Sequence, residues 1–217
     1  MKRYELIVFD WDGTLMDSAA AIVRSILAAC RDLGLPEPSE ARARHVIGLG
    51  LADALQHAVP DLPPERYPQM VERYRHHYLS RDHELVLFQG VEILLDELAA
   101  AGHLLAVATG KSRIGLDRAL LHSGLQARFH GSRCADECFS KPHPQMLEEL
   151  MVEFGMTPAE TLMIGDTSHD LQMAINAGVD ALAVTYGAHR HEHLAEHGPL
   201  ACLHSVPELS AWLKTNA

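Results

Sequence analysis

Two aspartates stand one residue apart in Asp10-Trp11-Asp12-Gly13-Thr14, directly after the apolar run Tyr4-Glu5-Leu6-Ile7-Val8-Phe9. That run has the length and residue types of a buried strand. Alternate residues of a strand share a face, so the two carboxylates would converge at its carboxyl end. Carboxylates brought together and stripped of water repel each other, which is costly unless a cation or a reaction uses them. Gly13 and Thr14 suit a tight turn whose backbone N–H groups would face an oxyanion. Taken alone, the segment reads as an acidic Asp-Gly turn, a cation site or a catalytic pair.

The elements that position this pair are legible in the periodicity. Leu104–Thr109, Thr161–Gly165 and Ala181–Thr185 read as buried strands, and Phe129–Ser132 as a short, weak one. Helical patterns cover Val91–Ala101, Arg113–Ser123, Pro144–Phe154, Asp170–Ala177 and Ser205–Leu213. Non-alternating strands interleaved with helices predict an α/β fold with a doubly wound parallel sheet, covered on both faces. Residues 18–88 interrupt the alternation. Ala20, Ile22, Val23, Ile26, Leu27 and Cys30 form one helical face. Ser39 is a candidate cap for a second helix, and the polar-rich stretch to Leu85 shows no strand. The expected organisation is a core of residues 1–17 and 89–217 with a small all-helical domain, 18–88, inserted after the first strand. Short linkers near Asp17-Ser18 and Phe88-Gln89-Gly90 would let the insert open and close as a lid.

In sheets of this kind ligands bind beyond the carboxyl ends of the strands. The residues just past each strand are therefore the candidates for chemistry. Besides Asp10 and Asp12, these ends carry Thr109-Gly110-Lys111-Ser112, Ser140-Lys141-Pro142-His143-Pro144 and Gly165-Asp166-Thr167-Ser168-His169-Asp170. Acids, a cation and a hydroxyl do not gather at one sheet edge for packing reasons. Asp10 and Asp166 offer oxygen ligands for a hard divalent cation, and Mg²⁺ fits best because it takes one or two carboxylates plus phosphate and water.

The segments Asp10-x-Asp12-Gly13-Thr14, Thr109-Gly110, Lys141-Pro142 and Gly165-Asp166-x-x-x-Asp170 resemble, in this order, the four motifs of the haloacid dehalogenase-like hydrolase superfamily. The resemblance covers essentially the whole chain. The helical insert is similar to the cap of the phosphoglycolate phosphatase and β-phosphoglucomutase-like branch. It implies a Rossmann-like core and a Mg²⁺-dependent phosphatase acting on a small phosphorylated metabolite through an aspartyl-phosphate. Asp10 would be the nucleophile and Asp12 the general acid/base. Gly13, Thr14, Thr109, Gly110 and Lys141 would bind phosphoryl oxygens. Asp10, the Asp12 backbone carbonyl and Asp166 would hold Mg²⁺, with Asp170 ligating directly or through water. Members that cleave carbon–halogen bonds lack a carboxylate at the Asp12 position, so its presence favours phosphate chemistry. Phosphoglycolate is the first substrate expected. A phosphosugar phosphatase, a mutase or a pyrophosphatase are alternatives, and a non-catalytic regulatory protein is the alternative of a different class. Substrate choice falls to the insert, where Arg44, His45 and the Gly48-Leu49-Gly50 turn are candidates to reach over the site, Arg44 toward a carboxylate or second phosphate. Trp11 between the aspartates and Phe88-Gln89-Gly90 at the second linker depart from the usual wording of the family.

The remaining composition narrows the partners. With 18 basic and 29 acidic residues among 217, the formal net charge is −11. That balance opposes binding to nucleic acid or to an anionic membrane surface. No apolar run spans a bilayer, and Met1-Lys2-Arg3-Tyr4-Glu5 lacks the layout of a signal peptide. Cys30, Cys134, Cys138 and Cys202 fit no zinc or redox spacing and read as reduced thiols of a cytoplasmic monomer or homodimer. Lys111 reads as the solvated start of a helix, and His143 as incidental. His189, His191, His193 and His197 read as a solvated polar helix despite their i, i+4 spacings.

Overall fold

Leu6, Ile7, Val8 and Phe9 are all fully buried, as a strand covered on both faces requires. This strand, β1 (Leu6–Phe9), pairs in parallel with segments far along the chain on both sides. The computed structural model describes residues 3–217; Met1 and Lys2, at the start of the expected core, lie outside the described residues. After β1 come four helices, α1 (Ala19–Asp32), α2 (Glu40–His45), α3 (Leu51–Ala58) and α4 (Tyr67–Leu79). Alternation then resumes with α5 (Val91–Ala100), β2 (Leu104–Thr109), α6 (Arg113–Ser123), β3 (Gly131–Cys134) and α7 (Gln145–Phe154). It closes with β4 (Thr161–Gly165), α8 (Ser168–Ala177), β5 (Asp180–Val184), α9 (His191–Ala195), β6 (Cys202–Leu203) and α10 (Val206–Asn216). The sheet runs β3-β2-β1-β4-β5-β6 with every pairing parallel.

Strand alternation divides the core between the two faces. Ile7, Phe9, Leu105, Val107 and Ile164 pack with the apolar stripes of α5, α6 and α10. Leu6, Val8, Ala106, Ala108 and Met163 pack with those of α7 and α8. Burying each large apolar side chain contributes roughly 1.5–3 kcal/mol. The weak strand expected at Phe129–Ser132 lies slightly later, because Ala106 pairs with Gly131 and Thr109 with Cys134. β6 has too few residues for a periodic signal and is held in the sheet by pairing with Ala183 and Val184.

Helices α1–α4 bury a core of their own, around Ile22, Ile26, Leu55 and Met70. Ser39 caps α2 by accepting from the Arg42 N–H at 3.2 Å. The chain enters and leaves this unit side by side. Asp17 N–H donates to the Val86 carbonyl and Phe88 N–H to the Leu15 carbonyl, each at 3.0 Å, and Met16 bridges antiparallel to Leu87. Both crossings sit next to the carboxyl end of β1, so the unit stands over the edge of the sheet where Asp10 lies.

Candidate active site

The backbone of Asp10 leaves β1 through an N–H···O bond to Ile164 on β4, which fixes it between two strand ends. Its carboxylate is 1 % exposed. Lys141, from the loop that follows β3, places its ammonium between two buried carboxylates and donates at 2.6 Å to Asp10 Oδ1 and to Asp170 Oδ1. Burial alone would pull the Lys141 ammonium down, but Asp10 and Asp170 more than offset it and hold its pKa above the ordinary value. Asp166, at the end of β4, accepts from the Thr14 hydroxyl at 2.8 Å and from the Ala188 N–H at 2.7 Å.

Asp10, Asp166 and Asp170 offer oxygens that all lie within 4.8 Å of one another. Three carboxylates therefore face the single ammonium of Lys141, an excess of two negative charges if all are ionised. Burial first, then mutual repulsion, raises Asp10 and Asp166 above the usual carboxylate range. Asp10 Oδ2 is buried without a hydrogen-bond partner. An all-oxygen donor set, an orphaned carboxylate oxygen and a deficit of positive charge together fit a hard divalent cation such as Mg²⁺.

Asp12 stands apart from this cluster. Its Oδ1 accepts from the Ser18 hydroxyl at 2.6 Å, and its Oδ2 lies 3.1 Å from Lys111 Nζ. Lys111 in turn donates at 2.9 Å to the Tyr78 hydroxyl of α4 and sits over the Tyr78 ring. Thr109 is fully buried at the end of β2, and its Oγ1 accepts from the Lys111 N–H at 3.2 Å.

Several expected positions come out differently. The turn N–H groups of Gly13 and Thr14 close the loop on itself, donating to the Met16 carbonyl at 2.8 Å and the Trp11 carbonyl at 3.4 Å. They do not face outward for an oxyanion. Gly13 instead makes room: a Cβ there would stand 2.1 Å from Asp166 Oδ2. Asp170 lies in the acidic cluster, but its Oδ2 accepts both the N–H and the hydroxyl of Thr167 and its Oδ1 holds Lys141. It retains fewer free lone pairs for a cation than Asp166 does. Lys111 is not the solvated helix start expected of it, because Asp12 and Tyr78 draw its ammonium inward. Arg44 does not line the cavity above the carboxylates; its Nε pairs with Glu40 one turn back on α2 at 3.1 Å. His189 lies outside the solvated helix expected of its segment: α9 begins only at His191, and His191 and His193 on it are exposed. His189 is buried, stacks on His45 and accepts the Ser168 N–H on Nδ1. The Nε2 groups of His169 and His189 both donate to the His45 carbonyl, tying the insert to the core. Burial pushes the pKa of both imidazoles down, His189 to about 4.

The Gly48-Leu49-Gly50 turn does reach the carboxyl ends of the strands. A Cβ on Gly110 would fall 2.4 Å from the Leu49 carbonyl oxygen, and the Gly50 N–H donates to Ser140 Oγ at 2.9 Å. Gly48 has φ +93°, a conformation that favours glycine. Trp11, between Asp10 and Asp12 in the chain, is buried with its ring edge-on to Phe129. Ser18, Gly187 and Ala188 escape sequence reasoning. Ser18 lies in the linker, and Gly187 and Ala188 come after β5, which carries no charged residue at its carboxyl end to mark it.

Comparisons with known proteins agree with this geometry. Residues 7–184 match the family model described as haloacid dehalogenase-like hydrolase. A probable phosphatase, IndB, of Dickeya dadantii is 36 % identical over 211 residues, covering 94 % of this chain and 91 % of the relative. A phosphoglycolate phosphatase of Vibrio cholerae is 33 % identical, covering 92 % of each chain. The crystal structure of a predicted phosphoglycolate phosphatase from Haemophilus somnus superposes with a TM-score of 0.87 at 28 % identity over 100 % of both chains.

Proposed function

The chain belongs to the haloacid dehalogenase-like hydrolases and is a phosphatase of that family, and from that membership we propose that it hydrolyses a small phosphomonoester with Mg²⁺ through a phosphorylated Asp10. The observation that carries this reading is the division of the carboxylates. Lys141 fixes Oδ1 of Asp10 and leaves Oδ2 without a partner, whereas Asp12 is held separately by Ser18 and Lys111. Asp10 is thereby immobilised for attack on phosphorus, and Asp12 is free of the cluster to carry a proton.

In the first half-reaction an Asp10 oxygen forms a bond to phosphorus while the ester P–O bond breaks, and Asp12 delivers its proton to the departing alkoxide. In the second half Asp12 takes a proton from water as it attacks the aspartyl-phosphate, releasing inorganic phosphate and regenerating Asp10. Lys141 and the Thr109-Gly110 turn would hold phosphoryl oxygens, and Asp10, the Asp12 backbone carbonyl and Asp166 would hold Mg²⁺. Bound there, Mg²⁺ would neutralise charge between an anionic carboxylate and an anionic phosphate. Asp170 acts on Lys141, keeping the ammonium aimed at Asp10. Phosphoglycolate, which the Vibrio relative's name carries, is the reference ester for assay.

Asp10→Asn keeps the side chain's shape and removes the nucleophile. It is expected to lower turnover of any phosphomonoester by on the order of 10³-fold or more, with an unchanged far-UV circular dichroism spectrum. Undiminished, Mg²⁺-dependent turnover by that variant would sink the mechanism.

A further inference from the structure

The nucleophile and the proton carrier are held from different parts of the molecule. Asp10 is held by Lys141, and Asp166 and Asp170, which crowd it, also come from the core. Asp12 has two holders. Ser18, in the linker, donates to Oδ1 at 2.6 Å, and the Lys111 ammonium lies 3.1 Å from Oδ2. Lys111 reaches that position from the loop after β2, where its backbone is fixed. Its N–H donates to Thr109 Oγ1 at 3.2 Å, and its carbonyl accepts from the Ala135 N–H at 3.0 Å. Its side chain is a flexible four-carbon stem, which a single carboxylate contact leaves free to swing.

The second contact comes from the insert. The Tyr78 hydroxyl of α4 accepts from Lys111 Nζ at 2.9 Å, and the ammonium lies 4.9 Å from the centre of the Tyr78 ring. Tyr74, one turn back on α4, stacks on that ring with centroids 5.9 Å apart. The side chains of Lys111 and Asp12 are each only 11 % exposed, so water screens their attraction little.

The two carboxylates serve separate events. Attack of Asp10 on phosphorus is supported by core residues. Departure of the ester oxygen uses Asp12: the P–O electron pair goes to that oxygen, and an alkoxide must take the Asp12 proton as it forms. A nitrophenolate is stable as an anion and departs without that proton. Lys111 also stabilises the carboxylate that Asp12 becomes once its proton is gone. A group that steadies Lys111 therefore acts on one event and leaves the other alone.

We propose that Tyr78 is a positioning residue for proton delivery to the leaving group: by accepting from Lys111, its hydroxyl keeps Asp12 aimed, so departure of an alkyl alcohol depends on Tyr78 and departure of a nitrophenolate does not. This rests on the phosphatase reading and gives one residue of the insert a part in it.

Single-turnover release of alcohol, with the chain in saturating excess and Mg²⁺ present, reads the first half-reaction by itself. The esters are p-nitrophenyl phosphate and the alkyl phosphomonoester that the wild-type chain cleaves fastest, phosphoglycolate being the first tried. Tyr78→Phe keeps the ring and removes only the hydroxyl. It is expected to slow alkyl release by about tenfold or more, a part of the roughly 10²- to 10⁴-fold that a positioned acid supplies, and to leave nitrophenol release within about twofold of wild type. Lys111→Met is expected to slow alkyl release as well. Tyr78→Phe added to Lys111→Met should cause no further loss, because both act through one ammonium. Unchanged alkyl release, an equal loss with both esters, or losses that multiply in the double variant overturn the inference and leave the phosphatase reading intact. An equal loss with both esters would mark Tyr78 as a residue that only seats the insert. If the wild-type chain cleaves no alkyl ester, the small-ester reading fails and the inference falls with it.

Discussion

At the scale of single residues, the site depends as much on missing side chains as on those present. Asp166 lies in a cradle whose walls are Gly13 and Gly187, and a Cβ on Gly187 would stand 2.2 Å from Asp166 Oδ2 and 2.4 Å from the Gly13 carbonyl oxygen. Those contacts are with a buried carboxylate and backbone, neither of which can give way cheaply. Gly187→Ala is therefore expected to cost about 1–3 kcal/mol of stability, in the range of overpacked sites. By turning the Asp166 carboxylate, it should also raise the Mg²⁺ concentration for half-maximal activity. Denaturant unfolding and a Mg²⁺ titration of activity measure the two effects; wild-type values for both would show that the cradle has slack. The residue scale also separates the acids. Asp10 and Asp170 share the Lys141 ammonium, whereas Asp12 pairs with Lys111, so two cations divide the three carboxylates between them.

At the scale of elements, the insert and the sheet are packed around separate cores and meet through few, short contacts. The His45 carbonyl receives two imidazole N–H groups from the core, Tyr78 receives the Lys111 ammonium, and the Gly48-Leu49 turn lies on Gly110. Such an arrangement suits opening and closing over the site, because separating the two units exposes little of either core. Gly110→Ala tests this. The new Cβ would fall 2.4 Å from the Leu49 carbonyl oxygen and 2.6 Å from that of Gly48, so the turn must lift away from the core. Phosphatase kcat/KM is expected to fall by about 10- to 100-fold, the cost of an ångström-scale misplacement. Global unfolding should shift by less than about 1 kcal/mol, because neither core is touched. A large loss of stability with kcat/KM retained would contradict the picture of a lightly seated insert. The helical insert itself was legible in its lack of strand patterning. Its seating was not, because Gly110 and Gly48-Leu49 are far apart in sequence and carry no periodic signal.

At the scale of the whole molecule, the four cysteines are free thiols, and all are half-buried or buried. Burial raises the pKa of each, Cys138 to about 11 and Cys134 to about 12, so at pH 8 little thiolate is present. The native chain is expected to react slowly with a thiol reagent at pH 8 and faster as pH rises toward 11, whereas the unfolded chain should release all four thiols at once. Rapid labelling of the native chain at pH 8 would contradict this burial. No helix among the described residues is long and apolar enough to cross a membrane. What the sequence by itself determined is local: apolar runs that make strands, helical stripes, and the identity of Asp10, Asp12, Thr109, Lys141 and Asp166 at strand ends. These arise from periodicity and from chemistry carried within a few residues, which a linear text preserves. Only the tertiary structure decided the partnerships. It turned Gly13 and Thr14 from phosphate donors into a support for Asp166, drew Lys111 into the site, placed Arg44 outside it and buried His189. Each of these depends on which loops the parallel sheet brings to one edge, and on whether a polar group finds its hydrogen-bond partner locally or a hundred residues away.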